Sequence, residues 1–138
     1  MPASITTLTL ADAKRLIAAG EAKAEEIGVP SNIAVVDAGG NLIAHVRMDN
    51  AWVGSIDIAI NKAWTARAFD MPTEDLAPMA QSGKPLFGID STNQARVVIF
   101  GGGVPIKAGE VVIGAVGSSG GTVDQDVEVA EAAAAVLT

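Results

Sequence analysis

One run constrains this chain more than any other: Val111-Val-Ile-Gly-Ala-Val-Gly117, then Ser118-Ser-Gly-Gly121, then Thr122-Val-Asp-Gln125. Its first part holds only β-branched or small side chains, as a strand covered on both faces requires. Ser118 to Gly121 lack bulk, so backbone there can approach a neighbour or a ligand closely. Thr122 to Gln125 fits a capping box, with Thr122 as N-cap and Gln125 reaching back. A strand end, bare glycines and helix N–H groups make either a tight, well-capped helix entry or the lip of a binding site.

The elements on either side follow from periodicity and punctuation. Thr9-Leu-Ala-Asp12 opens a helix to about Ile27, closed by Gly28 and Pro30, with Leu10, Ala13, Ile17, Gly20, Ala24 and Ile27 as its apolar stripe. Asn32 to Asp37 and Leu42 to Met48 read as strands of a hairpin turning at Ala38-Gly-Gly-Asn41. Ile43, His45, Arg47 and Asp49 share one face of the second strand, either a solvated surface or a pocket wall. Gly54 to Phe69 reads as a helix with apolar residues on more than one face, as burial or an oligomer interface would require. A short helix over Pro72–Gln81, a loop over Ser82–Asn93, and strands at Val97–Phe100, Val104–Lys107 and Glu110–Gly117 come next. The last helix runs from Val123 to Leu137. The order α-β-β-α-α-β-β-β-α makes an α+β (α/β) fold, a mainly antiparallel sheet with helices packed on it.

At 138 residues the chain is expected to be one domain, 1–138, with a real core. Five aromatic residues stand against 25 alanines and 15 glycines, so the interior is built by close approach of small side chains. A mean hydropathy of +0.37 leaves apolar surface for other copies to cover, and a homo-oligomer is expected. The net charge of −7 argues against nucleic acid and anionic membranes as partners. Without cysteine there is no disulfide, thiolate nucleophile or thiolate metal site. No basic, apolar leader and no membrane-spanning run is evident, so a cytoplasmic location is expected.

Catalytic signatures are sparse. The single histidine, His45, and the lack of a Gly-x-Ser-x-Gly elbow disfavour a hydrolytic triad. Gly101-Gly-Gly103 has no Lys-Ser/Thr ending of a phosphate loop. Lys62 interrupts an Ala-rich helix, either snorkelling to solvent or facing an anionic ligand. Arg67 is expected to pair with Asp57, Asp70, Asp90 or a ligand carboxylate. The pairs Glu21/Glu25 and Glu128/Glu131 read as surface.

Five ordered segments carry a family resemblance: Val35-Val-Asp-Ala-Gly-Gly-Asn-Leu42, Arg47-Met-Asp49, Lys62-Ala-Trp-Thr-Ala66, Gly101-Gly-Gly-Val-Pro-Ile106 and Gly114 to Thr122. From Leu8 to Ala135 the chain resembles the GlcG/HbpS family, which includes the C-terminal domain of PduO-type proteins. The resemblance implies a profilin-like domain with a five-stranded, mainly antiparallel sheet, assembling as dimers up to octamers. It also implies haem as cofactor and, for some members, haem degradation with iron release. By this resemblance, Gly120-Gly121-Thr122 match the segment whose threonine contacts the haem iron in haem-binding members, and Lys62 and Arg47 match positions suited to the propionates. Phe87 or Met48 is expected against the porphyrin. Two other readings stand beside this one. The same glycine-lipped pocket could hold a small organic acid in a catabolic enzyme or sensor, or the chain could be an assembly module without a ligand.

Overall fold

A computed structural model describes residues 1–137. Helix α1 (Leu10–Ile27) starts at a complete capping box between Thr9 and Asp12 and stops at Gly28, whose φ of 72° only glycine adopts without strain. Strands β1 (Asn32–Asp37) and β2 (Leu42–Arg47) form the expected hairpin. Helix α2 (Ser55–Phe69) and the single turn α3 (Thr73–Leu76) follow. Strands β3 (Gly103–Ala108) and β4 (Val111–Ser119) make a second hairpin, and α4 (Val123–Ala134) follows, passing into a 3-10 turn at Ala135–Leu137 where the helix was expected to continue. The four strands pair in the order β2-β1-β4-β3, antiparallel throughout.

The expected fifth strand is absent. Val97–Phe100 joins no ladder, because the side chain of α2 takes its backbone instead: the Val98 N–H donates to Thr65 Oγ1 at 3.1 Å. A short apolar run looks the same in sequence whether it lies on a sheet or along a helix. Val97 is buried there, and the run lines a cavity with Asp57, Ile58 and Asn61 on one flank of α2. The helix expected over 72–81 is also cut short. It is one α turn followed by a 3-10 turn at Ala77–Ala80 carrying Pro78.

Helices α1 and α4 pack on one face of the sheet and α2 on the other. Ile33 and Val35 of β1 and Val116 of β4 point to the first face and meet Leu16, Ile17, Val129 and Ala133. Leu16 is buried on α1, while Leu10, expected in the stripe, is exposed. Val36 and Ala115 point to the second face and meet Ala63 and Ala66. Beneath α2, Gly103 and Gly117 are directly paired across the ladder. A Cβ on Gly117 would strike the backbone of Ala59 and Ala63, and one on Gly103 the backbone of Lys62. The abundance of small residues is explained here: α2 rests on main chain.

Candidate functional site

One end of the sheet gathers the C-termini of β2 and β4, the N-termini of β1 and β3, and the starts of α2 and α4. Six of the seven expected site residues lie around it. Gly120, Gly121 and Thr122 join β4 to α4. Lys62 comes from α2, and Arg47 and Met48 come from the end of β2, where the Met48 N–H donates to Ser31 O at 3.1 Å. Asn32 stands between the two sides, paired with Arg47 on one neighbour and Ser119 on the other. Phe87 lies on the segment between α3 and β3, 68% exposed, its N–H donating to Lys84 O at 3.1 Å.

Lys62 neither snorkels nor faces solvent; it is 0% exposed. Its Nζ donates to Asp126 Oδ2 and to Ser118 O, each at 2.9 Å. The route is opened by Gly101-Gly-Gly103. A Cβ on Gly102 would lie 2.6 Å from Nζ, and its φ of 124° further selects glycine. Phe100, 40% exposed, covers the ammonium from outside with its ring centroid at 5.1 Å. Burial pushes the Lys62 ammonium below the usual lysine range, and the charge and hydrogen bond of Asp126 oppose that shift.

The second oxygen of Asp126 holds the glycine lip. Oδ1 accepts from the N–H groups of Gly120 and Gly121, both at 3.0 Å. Thr122 N–H donates to Gln125 Oε1 at 2.9 Å, and Thr122 Oγ1 accepts from Gln125 N–H at 3.2 Å. The capping box is therefore complete, and all three lip amides are engaged within the chain. An anion site of the kind expected at this helix start is already filled by the chain's own carboxylate. Thr122 itself is exposed, with acceptor capacity left on its hydroxyl.

Sequence reasoning passed over Asp126, since a carboxylate in the first turn of a helix reads as a dipole partner. Asn32 and Trp52 were missed as well. Asn32 is buried, its Nδ2 donates to Trp52 O at 3.0 Å, and its Oδ1 lies 2.9 Å from His45 Nε2. An asparagine inside an otherwise apolar strand was the available signal. Trp52 is 66% and Val53 68% exposed, and both lead into α2 at this end. Arg67, by contrast, finds one of its expected partners: Asp70 Oδ1 at 2.7 Å from Nη1, with Nε donating to Ala38 O at 2.6 Å. Among the described residues no group of three or more His, Asp or Glu could hold a metal ion, and no helix is long and apolar enough to cross a membrane.

Residues 8–135 match the family described as Haem degrading protein HbpS-like. The chain belongs to the GlcG/HbpS family. It is 52% identical over 129 residues to a 15.0 kDa protein of the dhaT-dhaS intergenic region of Citrobacter freundii, covering 94% of this chain and 91% of that protein. It is 38% identical over 131 residues to the corrinoid adenosyltransferase PduO of the same organism, covering 95% of this chain but only 39% of PduO. Among solved structures, the PduOC:haem complex superposes with a TM-score of 0.92 at 36% identity, over 97% of this chain and 96% of that one.

Proposed function

We propose that this chain binds haem at the end of the sheet where β2 and β4 finish. The observation that carries the reading is the set of large apolar side chains left in water there. Trp52, Val53, Phe100 and Val123 are all exposed on segments at this end of the fold, where Thr122 is exposed as well. A soluble chain seldom exposes such side chains together unless something covers them. Arg47, exposed at the same end, offers a cation for a propionate. The residue types suit haem as an apolar plate with acidic edges: Trp52, Val53, Phe100 and Val123 for the macrocycle, Arg47 for its edge, and Thr122 for the iron, whereas Met48 packs on the core beneath α1. Haem, when bound, supplies iron redox chemistry, which the chain's own side chains lack. A hydroxyl is a weak iron donor, so Thr122 by itself leaves affinity to apolar contact and charge.

Lys62 takes a different part in this reading. It fixes Asp126, and Asp126 fixes the lip. The reading of a small organic acid held by Lys62 and the lip amides gains no support, because Asp126 occupies those groups. Family relationship and the haem complex of PduOC support haem itself. Oxidative haem breakdown with iron release extends the proposal, with dioxygen and a reductant as co-reactants.

Assembly from a dimer up to an octamer is part of the same reading. Edge strand β2 carries no proline or lysine guard, unlike β3 with Pro105 and Lys107, and lies beside an open groove where Ala22, Ala44 and Val46 are joined by Lys14, Glu21 and Glu25. Titration of haem into the apo chain tests binding, with a saturable Soret band near one haem per chain expected. A flat titration rejects haem and leaves the assembly module. Turnover is read separately, from chelatable iron released by the loaded protein in air with a reductant.

A further inference from the structure

The end of the sheet opposite the lip carries side chains that haem binding does not use. Strand β1 leaves there through the turn Ala38-Gly39-Gly40-Asn41, and α2 arrives with Trp64 and Arg67. These two are three apart on the helix and so share one side of it. Between them and the turn lies a cavity of about 320 Å³, bounded by Ala38, Gly39, Gly40, Trp64, Arg67 and Ala68. That volume is at the lower end of the range of small-molecule sites. Glycine keeps the indole edge uncovered: a Cβ on Gly40 would lie 3.1 Å from Trp64 Cδ1 and 3.3 Å from Nε1. The φ of 78° at Gly40 selects glycine as well.

Arg67 is pinned at two points before any ligand arrives. Its Nε donates to Ala38 O at 2.6 Å and its Nη1 to Asp70 Oδ1 at 2.7 Å. A guanidinium has five N–H donors, so hydrogens on Nη1 and Nη2 are left over. Trp64 supplies another donor, because its Nε1–H makes no hydrogen bond among the described residues and an indole nitrogen cannot accept. Arg96 stacks on the same ring, 3.9 Å from the centroid, and brings a second positive charge. The neighbouring carboxylates are already engaged. Asp70 pairs with Arg67, and Asp37 Oδ1 accepts from Gly39 N–H and Asn41 N–H, each at 2.9 Å, and from Asn41 Nδ2. The turn's own N–H groups are used too, Ala38 by Thr7 Oγ1 and Gly40 by Asp37 O. What the cavity lacks is an acceptor for its two outward donors.

We infer that this cavity binds a small monocarboxylate, its oxygens on Arg67 and Trp64 Nε1 and its short aliphatic body against Ala68 and the glycine turn. A planar carboxylate matches the edge of a guanidinium, and one negative charge suits a place bordered by Asp37 and Asp70. The site is at the far end of the sheet from Thr122 and does not depend on haem binding.

Proton–nitrogen NMR of the full chain reads this site directly, with the Trp64 indole signal assigned from its loss in Trp64→Phe. Sodium butyrate should move that signal downfield and saturate in the millimolar range, as a small ligand with few contacts does. Butyramide, and sodium chloride at matched ionic strength, should leave it in place. Arg67→Gln should weaken the butyrate response about tenfold or more, because a charge-assisted pair is lost. Trp64→Phe guards against a variant that fails to fold, since it keeps a ring beside Arg96 and removes only the N–H donor. Saturation transfer to butyrate should then show several-fold weaker binding at an unchanged melting temperature. No shift with butyrate, an equal shift with butyramide or chloride, or wild-type affinity in both variants overturns the proposal.

Discussion

Lys62 and Arg47 carry the same charge and, in sequence, the same expected task, yet the fold puts them in opposite physical settings. Arg47 ends the edge strand in water, where its charge costs little. Lys62 is sealed between the two helical layers and is tolerable there only because Asp126 and Ser118 O accept hydrogen bonds from its ammonium. The difference shows that a cation's function follows from where its nearest carboxylate sits. Lys62 shapes the lip; Arg47 stays exposed, and the proposed reading gives it a propionate.

The widest gap between the two is expected in stability. Lys62→Met leaves Asp126 buried without its partner and should cost about 3–5 kcal/mol in urea unfolding. Adding Asp126→Asn keeps an acceptor for Gly120 and Gly121 while removing the orphan charge, so the double variant should recover much of that loss. If Lys62→Met proves neutral, the buried pair does not hold the lip. Gly102→Ala attacks the same seat from the other side, placing a Cβ against Nζ at a left-handed backbone position. A loss of about 1–3 kcal/mol is expected from overpacking, and a smaller one would show that the ammonium can shift aside.

Arg47→Glu should leave stability within about 0.5 kcal/mol, as exposed substitutions usually do. Haem affinity should fall several-fold, because attraction for a propionate becomes repulsion. Equal affinity of Arg47→Glu and wild type would remove Arg47 from the site. The smallest expected effect is a pH slope. The folded-state pKa of His45 lies below its ordinary value of 6.5, so near that pH the unfolded chain binds more protons than the folded one. Stability should therefore fall as pH drops through about 6.5 until the folded pKa is passed. His45→Gln should flatten that part of the profile, since the chain has no other histidine.

Much of the architecture was legible because its causes are local. Both capping boxes, at Thr9 and Thr122, involve residues three apart, and both are complete. The αL stop at Gly28 and the central, two-sided burial of β1 follow from neighbouring residues as well. Val97–Phe100 was misread because its partner, Thr65, is some thirty residues away on a helix, so composition could not choose between ladder and helix flank. For the site, the lip was legible and its support was not. Lys62 and Asp126 lie 64 residues apart, and His45 and Asn32 meet only because the β hairpin sets them in neighbouring rows.

The amino-acid order alone determined where helices begin and end, which strand is central, and that small residues must let elements approach closely. Those outcomes depend on backbone donors, glycine geometry and periodicity within a few positions. Tertiary structure decided which charges are silent and which can act. Asp126 met Lys62 and the lip amides inside the fold, while Arg47 and Trp52 were left exposed. The reason is that the cost of a charge or a lone pair is set by burial and by partners distant in sequence, and those exist only once the two helical layers close on the sheet.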